Sequence, residues 1–236
     1  MARLVWDATG TRNFEAGVKN GVLYVKDPTT GNYGTGVAWN GLTTVTESPS
    51  GAEPTDLWAD NMKYASFRSA ETFGATIEAY TYPDEFAECD GSAAIASGVY
   101  IGQQSRKVFG FCYKTGVGND SVTDLNSTEG YKIHIIWGAS ASPSERSYET
   151  INDSPDAITF SWEVTTTPVA VTGYKPTSSM VIDATKLTAS ADAAKLAKLE
   201  DKLYGTDAGS GTEATSPTLP TPDQIIYLFT NGDWPT

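Results

Sequence analysis

Histidine and cysteine are nearly missing from this chain. There is one histidine, His134, and there are two cysteines, Cys89 and Cys112, in 236 residues. A zinc centre needs about four nitrogen, sulfur or carboxylate ligands, and this inventory does not supply them. The two cysteines have no CxxC spacing and form no disulfide framework; they read as free thiols, with a single bridge left open. GxSxG, P-loop, GxGxxG and HExxH patterns are all absent. A Ser-His-Asp site needs a positioned nucleophile beside its histidine. His134 falls in the middle of an alternating segment on its polar side, where a histidine is a surface residue or a satisfied partner. Basic residues are also scarce, 16 against 29 acidic, for a net charge of −13. Grip on duplex DNA needs a basic footprint, so phosphate-directed binding is excluded; an acid excess serves solubility first. No apolar run approaches the roughly 18 residues of a membrane span. The opening Met1–Asp7 holds no signal-peptide core. The expectation is a protein made and folded in a cytoplasm, with no membrane partner and no internal repeat.

What the chain does hold is aromatic bulk and period-two alternation. Six Trp, 12 Tyr and 8 Phe suffice for a packed β core. From Tyr131 to Trp137, Tyr131, Ile133, Ile135 and Trp137 share one face while Lys132, His134 and Ile136 share the other. Ile158, Phe160, Trp162 and Val164 alternate with Thr159, Ser161 and Glu163. Phe109, Phe111 and Tyr113 keep the same rhythm between Lys107 and Tyr113. These are half-buried antiparallel strands. Thr76–Tyr82 is a further strand, ended by Pro83. Leu57–Tyr64 reads as two short strands joined at Asp60-Asn61, residue types that tolerate positive φ. Gly21–Lys26, Met180–Ile182 and a final Gln224–Phe229 complete the expected strands. One helix stands out, at about 191–204, with Leu196, Leu199 and Leu203 as a narrow apolar stripe, Ser190 or Thr188 to cap it and Gly205 after it. Thr43–Asp56, Asp84–Ser97, Gly116–Gly130 and Thr206–Pro222 read as long polar loops, a length that in a compact chain marks function or a partner. The division expected is residues 1–205 as the main domain, with 206–236 a linker-like segment and C-terminal strand of that same domain.

Chemistry is left to carboxylates and tryptophans. Asp84, Glu85, Glu88 and Asp90 cluster after a strand. Such groups can hydrolyse a glycosidic bond when held at the right separation, but a solvated turn needs nothing more than this pattern, and the regular calcium loop is absent. Trp39, Trp58 and Trp234 stand in turn-like contexts, suited to stacking on a sugar, anchoring a protein interface or filling a core.

Several segments, in this order, resemble the major tail (tail tube) proteins of siphophages infecting Gram-positive bacteria. They run from Arg3-Leu4-Val5-Trp6-Asp7 with Thr9-Gly10 through Gly17-Val18, Gly21–Tyr24 and Gly36–Leu42. Gly51-Ala52-Glu53-Pro54-Thr55 leading into Leu57–Asn61 carries most of the likeness. Thr76–Phe86, Cys89-Asp90-Gly91, Gly118-Asn119-Asp120, Ser142–Arg146, Ile151–Pro155 and Phe160-Ser161-Trp162 follow. The resemblance spans residues 1 to about 187. It implies an antiparallel β-sandwich or barrel-like core with one flanking helix and long assembly loops. It implies hexameric rings of this chain stacked into a virion tail tube assembled in the bacterial host cytoplasm. Tail-tip or baseplate, tape-measure and tail-terminator proteins would be its partners, and genomic DNA would pass through unbound. The family brings no catalytic residue, metal or cofactor, so no enzyme activity is expected.

Two expectations follow for particular residues. DNA carries about one charge per 1.7 Å of axis, so an acidic wall lets it slide; Glu78, Asp84 and Glu163 are the candidate lumen residues. The segment holding Thr43, Glu47, Pro49, Glu53 and Asp56 is the candidate ring-stacking loop. The competing reading is a sugar-binding β-sandwich of a phage baseplate or fibre, presenting Trp39 or Trp58; a hydrolase depending on Glu85 or Glu88 comes third.

Overall fold

A computed structural model describes residues 3–121, 130–151, 153, 156–209 and 213–235. Asn152, Ser154 and Pro155 of the resemblance, and parts of the expected loops 116–130 and 206–222, lie outside the described residues. In chain order the strands are β1 (Phe14–Val25), β2 (Val37–Trp39), β3 (Leu42–Glu47), β4 (Ser50–Gly51), β5 (Pro54–Ala59), β6 (Met62–Arg68), β7 (Glu71–Thr72) and β8 (Gly74–Ala79). A 3-10 turn at Asp84–Glu88 precedes β9 (Ala93–Ala96), β10 (Val99–Ile101), β11 (Phe109–Gly118), β12 (Tyr131–Ala141), β13 (Phe160–Thr166) and β14 (Ser179–Asp183). Helices α1 (Ser190–Tyr204) and α2 (Pro222–Asn231) follow. The chain is mainly β, and its strand pairs are antiparallel.

The main sheet runs β2-β1-β11-β12-β13-β8-β3, with β14 also on β12. β12 makes this possible by serving two neighbours along one edge. Its first half pairs with β14, Lys132 opposite Asp183 to Ile136 opposite Ser179. Its end pairs with β13, Ala139 opposite Thr166 to Ala141 opposite Val164. Between the halves, Gly138 takes φ +63°, a left-handed conformation that only glycine adopts at little cost. The sheet bends there and folds over itself. Its ends, β2 and β3, do not pair, so no barrel closes.

Folding over creates one core between the sheet's own halves. Leu23, Phe109, Phe111 and Ile136 meet Ile77, Trp162 and Val164, with Trp39 and Phe86 between them. The Trp39 ring lies 5.6 Å from Trp162 and 4.5 Å from Phe86, the tilted and edge-on geometry aromatic rings favour. Its Nε1–H donates to the Thr81 carbonyl at 3.0 Å. Trp39 is therefore a core residue, and the sugar-stacking role expected of it is withdrawn.

A second core forms on the opposite face. Val22, Tyr24, Cys112, Ile133, Ile135 and Trp137 pack against Leu196, Leu199 and Leu203 of α1 and Ile225 and Leu228 of α2. The α1 stripe lies where its spacing put it, and each buried leucine stabilises by about 1.5–3 kcal/mol. Its start is capped by neither Ser190 nor Thr188: Ala189 holds the N-cap position without a side-chain bond. The two cysteines are free and buried, Cys89 in the first core and Cys112 in the second.

The expected final strand at Gln224–Phe229 is a correction: it is α2. Thr221 Oγ1 accepts from Gln224 N at 3.3 Å, and Thr221 N donates to Gln224 Oε1 at 2.9 Å. Pro222 opens the helix and Gly232, at φ +85°, ends it, so every terminal signal is helical. Lys195 and Lys198 of α1 donate to the carbonyls of Phe229 and Gly232, each at 2.9 Å, placing cations at the negative end of α2. Among the described residues two α-helices, not one, flank the sheet. Thr43–Asp56 is also not a loop. It contains most of β3, all of β4 and the start of β5. Deleting it would remove a strand whose Val45 packs on the first core, so that deletion does not leave the fold intact.

Candidate assembly surfaces

β5 and β6 form a hairpin that leaves the body between the short pair β4–β7. They turn at Asp60 and Asn61, whose φ values of +50° and +58° suit a tight two-residue turn. Register assigns the faces. Thr55 stands opposite Phe67, Leu57 opposite Ala65 and Ala59 opposite Met62. Cross-strand partners share a face, and alternate residues return to it. One face is thus Thr55, Leu57, Ala59, Met62, Ala65 and Phe67. Met62 is 63 % and Phe67 61 % exposed. The other face carries Asp56, Trp58, Lys63 and Ser66, pinned by the Lys63–Asp56 ion pair at 2.7 Å. An isolated two-stranded hairpin is at best marginally stable in water. The apolar face of this hairpin is uncovered within the described chain.

The sheet half formed by β3, β8 and β13 has a different outward face. Thr44, Glu78 and Ser161 form one cross-strand row, and Thr46, Thr76 and Glu163 the next. These rows hold hydroxyls and carboxylates only. Glu78 and Glu163 are diagonal neighbours on adjacent strands, a spacing of about 7–8 Å. Val45, Ile77 and Trp162 point the other way into the first core, which fixes the outward parity. Asp84 does not join them. It opens the 3-10 turn beyond Pro83, exposed beside two grooves that share Tyr100.

Of the expected stacking residues, Thr43 and Glu47 belong to β3, Pro49 and Glu53 to the links around β4, and Asp56 to β5. Glu47 turns inward to a polar chain at the open end of the sandwich. The Tyr113 hydroxyl donates to Glu47 Oε1 at 2.9 Å, and His134 Nδ1 faces the same oxygen at 3.3 Å. His134 Nε2 faces Glu15 Oε1 at 3.3 Å and Thr115 Oγ1 at 3.0 Å. Its ring stacks on Tyr113, centroids 4.6 Å apart. Lys132 pairs with Glu15. The hydrogen bond from His134, opposed by burial and helped by Tyr113, holds the Glu47 carboxyl below its ordinary value. At Glu15 burial pushes upward, but the bonds from Lys132 and Thr115 prevail and the carboxyl again falls. His134 is thus a satisfied partner tying β3 to β1, β11 and β12.

Two members of the acidic cluster after β8 are held in ion pairs. Glu88 meets Lys107, and Asp90 meets both Arg106 and Arg146. Among the described residues no group of three or more His, Cys, Asp or Glu side chains is arranged to hold a metal ion. No helix among them is long and apolar enough to cross a membrane.

No family model matches the chain, and no curated protein matches it. Among solved structures it is similar to a chain of an extracellular contractile injection system, the PVC sheath–tube complex in its extended state, determined by cryo-electron microscopy. Identity is 11 % and the TM-score 0.29, over 76 % of this chain and 94 % of that one. At that identity and score the likeness says nothing about what this chain does.

Proposed function

We propose that the protein is a non-catalytic structural subunit that assembles with copies of itself into a phage-type tail tube, of the kind its sequence resembles. The observation that carries this reading is the bare apolar face of the β5–β6 hairpin. It lies in the segment where the sequence resemblance is densest, and it has no partner within the described chain. In hexameric rings the hairpin of one copy covers its apolar face on another, and head-to-tail contacts continue as an open stack. The hydroxyl and carboxylate face of β3, β8 and β13 then suits a lumen through which DNA passes without adhering, with Glu78 and Glu163 supplying the charge. Asp84 stands off that face and is not part of the proposed lining. Tail-tip, tape-measure and terminator proteins remain the partners expected at the tube's ends.

The experiment is negative-stain electron microscopy of the purified chain beside a Leu57→Asp, Phe67→Asp variant. Both positions are exposed, so circular dichroism is expected to be unchanged while rings and tubes disappear. Tubes formed equally by both proteins would sink the proposal.

A further inference from the structure

Two of the apolar features outside the cores and the β5–β6 hairpin sit at opposite ends of β1. The first is the segment before that strand. Leu4, Val5 and Trp6 are consecutive and 72, 78 and 74 % exposed, and they pair with no strand. Arg3 beside them has no carboxylate partner among the described residues. Past Trp6 the Asp7 carbonyl accepts from Arg12 at 3.0 Å, and the segment is tied to the rest of the fold at Gly10, whose N donates to Asp120 Oδ1 at 2.8 Å.

The second lies past the other end of β1. A groove of about 470 Å³ opens beside Val25 and Pro28, between the 3-10 turn and β10, with Tyr100 in its wall. The β9–β10 hairpin that borders it is a separate two-stranded sheet with both outer edges unpaired. Ile95, Val99, Tyr100 and Ile101 on it are exposed. The groove's rim carries four carboxylates, Asp27, Asp84, Glu85 and Glu88, against two lysines, Lys26 and Lys107. Lys107 is engaged by Glu88, whereas Asp27, Asp84 and Glu85 have no basic partner among the described residues.

We propose that the Arg3–Trp6 segment of one copy docks in this groove of a second copy, adding along the free edge of β10 with Trp6 as anchor and Arg3 against Asp84 and Glu85. The proposal rests on the reading that copies of the chain associate. Reach weighs against self-docking. β1 has 12 residues, which at about 3.4 Å each would separate its ends by roughly 37 Å if it were straight, and by less across its two bulges. The stretch freed by the anchor at Gly10 spans at most about 24 Å. The β5–β6 hairpin is the poorer occupant, because its strands are already paired with each other and present a two-stranded face where the groove takes one extended strand. Main-chain bonds to an open edge and an aromatic anchor are the usual means of strand addition. Where the arm of each copy enters the groove of the next, the contact is head-to-tail and propagates as an open stack; a reciprocal exchange of arms would instead close a two-fold dimer.

The test is disulfide trapping between two full-length chains. One carries Val5→Cys, the other Val99→Cys, and the native thiols are buried. The mixture is expected to give a covalent heterodimer, while Val5→Cys mixed with Thr46→Cys gives none. Adding Asp84→Lys and Glu85→Lys to the acceptor lowers trapping about tenfold, and Arg3→Glu on the donor restores it. Sedimentation of the same mixtures separates the two ideas. Chains that associate without trapping, or that trap Thr46→Cys as well, or that trap Val99→Cys through a donor Trp58→Cys instead, overturn the docking and leave self-association standing. Chains that remain monomeric at every concentration overturn both.

Discussion

Gly138→Ala measures the bend on which the sheet's topology depends. At φ +63° an added Cβ carries the left-handed penalty of about 1–2 kcal/mol. It also meets the carbonyl oxygen of Thr167 at 2.2 Å and that carbonyl's carbon at 3.2 Å. Both are backbone atoms, and Thr167 N already donates to Gly138 O at 2.9 Å. The clash cannot be relieved by turning a side chain. β12 must separate from the chain leaving β13, at an overpacking cost of about 1–3 kcal/mol. The total is about 2–5 kcal/mol, a large share of the ~5–15 kcal/mol that holds a domain folded. Gly173 supplies the control. It has φ +79° and nothing within 4 Å of an added Cβ, so Gly173→Ala bears the conformational penalty alone. Urea unfolding of the two variants isolates the steric part, and Gly138→Ala is expected to be the weaker by about 1–3 kcal/mol. Equal losses would show that the strand relaxes freely at Gly138 and that the bend is not what splits β12 between β14 and β13.

Glu47→Gln removes the carboxylate that ties the end of β3 to Tyr113 and His134. That side chain is 35 % exposed, so the value of a charged hydrogen bond is reduced by solvent to about 1 kcal/mol. Because the folded carboxyl lies below its ordinary value of 4.5, its contribution is complete above that value and is lost as pH falls through the folded one. The gap between wild type and Glu47→Gln in urea is therefore expected to close on acidification, and a gap independent of pH would refute the charge argument. Thr221→Ala opens the capping box of α2 and costs about 1 kcal/mol; unchanged urea stability would mean that tertiary contacts alone hold the helix start.

The strands with apolar residues at every second position were legible from sequence because both cores are lined by that alternation. Phe109, Phe111 and Tyr113 turn to one core while Ile133, Ile135 and Trp137 turn to the other. The same parity carried Glu78 and Glu163 to one outward face. It failed for Asp84, because Pro83 breaks the strand and the chain turns into a 3-10 coil. β3 was hidden for a related reason. Its outward positions are threonines and its apolar contacts with the core are Leu42 and Val45 alone, so Leu42–Glu47 has the composition of a polar loop although its backbone pairs with β8 on both sides of a bulge at Thr43. At the C-terminus Ile225, Ile226, Tyr227 and Phe229 favour a strand by propensity. The capping box Thr221-Pro222-Asp223-Gln224 and the Ile225–Leu228 spacing stood beside them, and end signals with helical spacing outweigh propensity when the helix has a core to cover.

The way the sheet is covered determines where the proposed second copy would bind. The inner face is closed by the sheet folding over itself and the outer face of β1, β11 and β12 by α1 and α2, so the large buried aromatics are already committed. The outward face of β3, β8 and β13 carries hydroxyls and carboxylates, which hold water well and provide little hydrophobic drive. Many of the exposed large hydrophobics thus lie on the β5–β6 hairpin, the β9–β10 hairpin and the segment around Trp6, with Tyr148, Ile151 and Tyr174 on the connections after β12 and β13. Contacts made by projecting pieces bury surface without rearranging either core. On this arrangement, charges placed on the hairpins should change association and leave urea stability nearly untouched, whereas Gly138→Ala should weaken folding before it weakens any contact between copies.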